Sequence, residues 1–123
     1  MVDLTSDIQQ RLDTEANIWF ATVRPNGRPH LVPVRFAWYG GKLYTCIEGS
    51  SVKACNIKQN PRLTLALENG SQPAICEGTA EFVPPPWPEP IVDIFKAKYD
   101  WDITTDGQYD TLVVVTPVKW LSW

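Results

Sequence analysis

Positive charge is scarce in this 123-residue sequence: eleven lysines and arginines stand against fourteen aspartates and glutamates, a net charge of −3. The isoelectric point near 5.0 argues against wholesale binding of nucleic acid, which calls for a basic surface. It leaves room for a local basic pocket around one phosphate. Histidine is represented once, by His30, and the three cysteines, Cys46, Cys55 and Cys76, form no C-x-x-C pair. No usual zinc spacing results, so no metal site is expected. An odd cysteine count does not fit a secreted disulfide framework; reduced thiols in a cytoplasmic protein are the better reading. Long apolar runs are missing too. Leu112 to Val118 is interrupted by Thr116 and Pro117 and falls far short of the roughly 20 residues that span a bilayer, so no membrane partner is expected. Met1 to Arg11 carries Asp3 and Asp7 and no apolar core, unlike a signal peptide. Internal repeats and a domain boundary are both absent, which makes residues 1–123 one expected domain.

What is present is an ordinary soluble composition, 44% hydrophobic and 20% charged, with β-prone runs separated by turn signals. Thr5 to Thr14 reads as a short helix, with Ser6 as its cap and Gln9 as the capping-box partner. Trp19 to Val23 and Leu31 to Tyr39 flank Pro25-Asn26-Gly27, a hairpin pattern. Gly40-Gly41 leads into a strand over Leu43 to Ile47. Val52 to Gln59 reads as a helix that stops before Pro61. Arg62 to Glu68 alternates, with Leu63, Leu65 and Leu67 on one face. Ile75 to Val83 is a further strand. Pro84-Pro85-Pro86-Trp87-Pro88 is an extended connector, Glu89 to Tyr99 a helix, and Thr111 to Leu121 the last strand. The sum is a mainly β (α+β) chain of six antiparallel strands with two or three short helices. Pro33 cannot donate to a ladder, which places its strand at an edge or a bulge, where backbone groups are free to meet a flat heterocycle.

Chemistry concentrates where strand 43–47 runs through Glu48-Gly49-Ser50-Ser51 into Val52-Lys53. The first N–H groups of a helix lack internal partners, and with the helix dipole they favour an anion. Ser50 and Ser51 add hydroxyls and Lys53 a full positive charge, so a phosphate monoester fits. The G-x-x-x-x-G-K pattern of a Walker A loop is absent. The plainer alternative is that a serine only caps the helix and Lys53 is solvated. Arg35 sits in an apolar strand and wants a partner: a phosphate, Glu48, Glu77 or Glu81, or water at an edge. His30 can be a general base, a structural side chain or part of a ligand wall; nothing near it completes a triad. Glu77 and Glu81 alternate on one strand face and can be paired acids or simply exposed. Trp120 and Trp123 can wall a flat ligand or serve in packing.

Several ordered segments carry a family resemblance. Ala21-Thr22-Val23-Arg24-Pro25-Asn26-Gly27-Arg28-Pro29-His30, with Leu31 to Trp38, resembles the opening hairpin of the pyridoxamine 5′-phosphate oxidase-related FMN-binding proteins. Ser51-Val52-Lys53-Ala54-Cys55-Asn56-Ile57 with Asn60-Pro61-Arg62 is similar to that family's S-x-K-A-x-N-L…N-P-R segment, and Glu77-Gly78-Thr79-Ala80-Glu81 to its G-x-A-E strand. The resemblance implies a split β-barrel working as a homodimer, with FMN in clefts between the subunits and a small-molecule redox substrate. It implies that the strand from His30 through Val32 and Val34 lies along the flavin, with Arg35 at the phosphate. Tyr44 and Thr45 would line the site, Ser51 and Lys53 would clamp the phosphate beside Ser50, Trp123 would lie near the flavin, and Gln72 would reach it from the partner subunit. Two positions depart from the family pattern: His30 stands where the oxidases have arginine, and Val52 where many members do. The C-terminal arginine motif of those oxidases has no counterpart after Trp120, so vitamin B6 synthesis is not expected. An FMN-dependent oxidoreductase is the leading expectation. An F420-dependent reductase on the same barrel, a non-catalytic flavin-binding or sensing module, and a structural barrel with an empty site are the rivals.

Overall fold

Alternation decides most of this architecture. In Ile18–Val23 (β1), Ile18, Phe20 and Thr22 are buried while Trp19 and Val23 face outward, the two-residue period of a sheet with one wet face. The computed structural model describes residues 4–123. In it, β1 pairs antiparallel with Pro29–Val34 (β2) across the expected turn, where Gly27 takes a φ of +86° that favours glycine. Ala37–Tyr39 (β3), Lys42–Ile47 (β4), Arg62–Leu67 (β5), Ala74–Val83 (β6) and Thr111–Ser122 (β7) complete one sheet. Its order is β2-β1-β5-β6-β7-β4-β3, and every ladder is antiparallel.

The sheet curls until its inner face encloses a core that includes Phe20, Phe36, Leu43, Leu65, Val113 and Trp120. Two helices add to that core: Ser6–Thr14 (α1) through Ile8 and Leu12, and Val52–Gln59 (α2) through Ala54 and Ile57. A third, Glu89–Tyr99 (α3), covers the outer side of β3 and β4, where Ile91 and Phe95 pack with Ala37, Cys46, Ile103 and Leu112. Burying each such large side chain stabilises by about 1.5–3 kcal/mol. At Gly78 the β6–β7 ladder shifts register. A Cβ there would stand 2.7 Å from the Thr116 carbonyl oxygen, so only glycine lets β7 approach.

The antiparallel half-barrel with three helices agrees with the sequence reading, with one difference in the count. The expected strand Leu31 to Tyr39 is two strands, so there are seven rather than six. The break is Arg35-Phe36, and it carries the chain from one border of the sheet to the other. β2 and β3, consecutive in sequence, are the two edge strands, and two residues close the curled sheet where ladder hydrogen bonds do not. The edge position expected from Pro33 is observed. The helix cap also differs by one residue. Thr5, not Ser6, caps α1, its Oγ1 accepting from the Ile8 N–H at 3.2 Å. Residues 1–3, part of the N-terminal stretch read above as no signal peptide, lie outside the described residues. Among the described residues no helix is long and apolar enough to cross a membrane.

Candidate functional site

The corner where β4 ends and α2 begins takes the form its sequence implied. Ser51 is the N-cap, its Oγ accepting from the Ala54 N–H at 3.2 Å. The Val52 and Lys53 N–H groups have no acceptor among the described residues. Ser50 is exposed, and Ser51 and Lys53 are half-buried. Lys53 has no carboxylate partner, since the one ion pair among the described residues is Arg11–Glu15. Two contacts anchor this corner. The Gly49 N–H donates to Asp110 Oδ1 at 2.8 Å, and a Cβ on Gly49 would stand 2.6 Å from Thr111 Oγ1. Inside the barrel, Asn56 Nδ2 donates to Thr22 Oγ1 at 3.0 Å, a fully buried pair that ties α2 to β1.

Thr22 is the register partner of His30 on β2, and this brings His30 to the same corner. Its Nδ1 is buried without a hydrogen-bond partner. Burial, and then the positive charges of Arg24 and Lys53, hold the imidazole below its ordinary pKa. The ammonium of Lys53 and two open helix N–H groups make this corner electropositive, and the imidazole Nδ1 beside them is buried without a partner. These residues fit an anionic ester group, and the orphaned Nδ1 is the observation that speaks for it.

Arg35 is not part of this cluster. It follows His30 by five residues, about 16 Å of extended chain. Its exposed guanidinium lies over the rings of Tyr99 and Trp101, 5.1 and 5.5 Å from their centroids. No ion pair to Glu48, Glu77 or Glu81 forms. The backbone on either side is held by α3. The Tyr99 hydroxyl accepts from the Phe36 N–H at 3.0 Å, and Lys98 Nζ donates to the Phe36 carbonyl at 3.1 Å. Thr45 Oγ1 donates to the Arg35 carbonyl at 2.9 Å. Thr45 is therefore buried and committed to the seam, while Tyr44, its neighbour, packs on the α3 side. Val32 and Val34 point into the core side of β2.

Gln72 and Trp123 meet each other but not the α2 corner. They line a small hollow with Arg11 and Ser122 beside α1, and Arg11 Nη1 donates to the Gln72 carbonyl. Ala21, next to Thr22, pairs through Thr64 to Glu77; the Glu77–Ala74 stretch of β6 alone separates the two groups by roughly 10 Å. Trp123 is 81% exposed. Trp120 belongs to the core, edge-on to Trp38 at 6.0 Å. Glu77 and Glu81 are exposed. The outer face of the sheet carries a cavity of about 540 Å³ whose walls include Ala21, Val23, Leu63, Gly78 and Val118. Trp19 and Leu31 stand exposed on β1 and β2.

Sequence reasoning assigned no task to three groups that shape this surface. Asn56 gave a weak signal, as a polar residue spaced to face inward on α2. Tyr99 and Lys98 gave none, because their task is set by a strand break that alternation did not show.

Comparison with known proteins places these features in context. The family described as pyridoxamine 5′-phosphate oxidase matches residues 4–123. A solved structure of a conserved hypothetical protein from Mycobacterium tuberculosis superposes with a TM-score of 0.80 at 24% identity, covering 100% of this chain and 86% of that one. An F420 reductase superposes at 0.77 with 25% identity, covering 96% and 98%. A heme storage protein from Vibrio cholerae superposes at 0.79 with 16% identity, covering 98% and 95%. No curated protein matches the sequence.

Proposed function

The chain belongs to the pyridoxamine 5′-phosphate oxidase family, and from that premise we propose that it is a homodimeric, cytoplasmic FMN-binding oxidoreductase acting on a small redox substrate, the whole chain serving as one cofactor domain. The observation that carries this reading is the α2 corner: Ser51, Lys53 and the unpartnered His30 Nδ1 around open helix N–H groups. The flavin would supply the electron transfer when bound. The chain's own groups bind and orient it. Lys53 and the helix N-terminus hold the phosphate, with Ser50 and Ser51 donating hydroxyl hydrogens. His30, kept neutral, closes the corner. The free edge of β2 then runs away from the phosphate, and the separation from His30 supports a place for Arg35 at the ring end rather than at the phosphate. Tyr99 and Trp101 fix its guanidinium there.

Gln72 and Trp123 cannot reach the corner of their own chain. A two-fold pair in which the outer faces meet would bring one protomer's Gln72–Trp123 corner toward the partner's α2 corner. The exposed apolar residues Trp19, Leu31 and Val118 support contact there. Three free thiols suit a reducing compartment.

The test is direct. Purified protein should carry or take up FMN, seen in its visible spectrum. Lys53→Ala should weaken FMN affinity by about 1.5–3 kcal/mol, the size of one charge-assisted contact, or roughly 10- to 150-fold. Unchanged affinity in Lys53→Ala and Ser51→Ala would remove the clamp from consideration. A second reading, an F420-dependent reductase, is favoured by the 25%-identical F420 reductase that covers nearly the whole chain. Spectra after incubation with each cofactor separate the two.

A further inference from the structure

The proline connector takes no part in the cofactor reading, and the acidic loop after α3 enters it only through Trp101 and Asp110, yet together they build a second concave site. Two adjoining hollows, about 540 and 420 Å³, share Pro85, Trp87 and Asp110 as walls. The smaller is bounded by Pro85, Pro86 and Trp87 on one side and by Ile103, Tyr109 and Asp110 on the other. Its size lies in the range of small-molecule sites.

The wall chemistry selects the ligand. Between Lys98 and Lys119 the chain has no lysine or arginine and carries Asp100, Asp102, Asp106 and Asp110. Hydrogen bonds from the Thr104 side chain, the Tyr109 N–H and the Gly49 N–H hold Asp102, Asp106 and Asp110 below the usual carboxylate range, so they are anions at neutral pH. None is in an ion pair among the described residues. Tyr109 is positioned by an edge-on contact with Trp101 at 5.6 Å, whose indole N–H is fixed by Asp106 at 2.9 Å. Asp110 is the one charged residue among the described walls of the smaller hollow, while Lys58 lines the larger one. Rigid aromatic and proline faces beside the Asp110 carboxylate attract an organic cation through the ring quadrupole and its charge. They disfavour phosphates and carboxylic acids.

We propose that the hollow between Trp87 and Tyr109 binds a small organic ammonium ion, with Asp110 as its counter-charge. Asp110 also receives the Gly49 N–H, so an occupant would sit one hydrogen bond from the loop that leads into α2. The proposal stands on this cavity alone and does not depend on which cofactor the α2 corner takes.

The test uses choline as the cation and 3,3-dimethylbutan-1-ol as its uncharged counterpart of the same shape. Each is titrated into the full chain while indole N–H signals are followed by NMR; Trp87→Phe assigns the Trp87 signal. Choline should shift that signal saturably, with at least tenfold tighter binding than the alcohol. Asp110→Asn keeps an acceptor for Gly49 but should weaken choline at least fivefold, and Tyr109→Leu likewise. Equal affinities, no saturable shift with choline, or binding untouched by both variants would each overturn the assignment.

Discussion

At the scale of single residues, His30 shows how the corner is tuned. Its folded-state pKa lies below the ordinary 6.5, from burial first and then from Arg24 and Lys53. The unfolded chain therefore binds the proton more readily. Stability is fully present above about pH 6.5 and declines as pH falls below it toward the lowered native value. His30→Gln should flatten that part of the profile, measured as denaturant midpoint against pH from 7 to 5. An unchanged slope would show that other groups dominate. Cys46 and Cys76 lie at the opposite extreme: burial pushes both thiols up to about 12, so neither suits nucleophilic work.

At the scale of elements, α3 does more than cover β3 and β4. Its last turn supplies hydrogen-bond partners for Phe36, whose backbone lies outside every strand ladder, since the Tyr99 hydroxyl accepts from Phe36 and donates to a carbonyl of Ala16 or Phe36. Tyr99→Phe leaves the half-buried Phe36 N–H without an acceptor and should cost about 1–3 kcal/mol, read as a drop in unfolding free energy. A loss under 0.5 kcal/mol would mean that water replaces the hydroxyl. Most elements were legible because periodicity, turns and caps agreed: the strand read at 62–68 runs over 62–67, the α2 cap is one of the two serines read there, Ser51, and α3 spans the expected 89–99. The break at Arg35-Phe36 was not. Val-Pro-Val-Arg-Phe-Ala-Trp-Tyr is β-prone apart from Pro33, which marks an edge or bulge but not a break, and the further trace is that Phe36 and Ala37, adjacent in sequence, are both buried, which a continuous strand with one wet face forbids. The resemblance alone put Arg35 at the phosphate, and an unbroken strand gives no sign against it. The α2 corner was legible because its residues are contiguous. The position of Gln72 and Trp123 was not, because register between distant strands sets it.

At the scale of the whole molecule, the proposed cofactor residues fall into three groups on one chain, the α2 corner, the Arg35–Thr45 seam and the Gln72–Trp123 hollow, and the predicted remedy is a pair of chains. Leu31 and Val118, 61% and 62% exposed, lie on the face assigned to that contact. Leu31→Lys with Val118→Lys should convert a dimeric mass in solution to a monomeric one and abolish tight FMN binding at the same time. A wild-type chain that sediments as a monomer at micromolar concentration would refute the pairing. Loss of the dimer with cofactor affinity intact would show that each chain assembles its own site.

The two-residue join between the border strands bears on how the protein stays dispersed. A curled sheet that closes through a peptide segment keeps two rows of unsatisfied amides and carbonyls, and such rows are templates for stray chains to stack into aggregates. Here β2 carries Pro29 and Pro33, each removing a donor, and β3 is only three residues long. The borders are thus left open enough for a guest to be read by its backbone and too poor in continuous donors to seed a fibre.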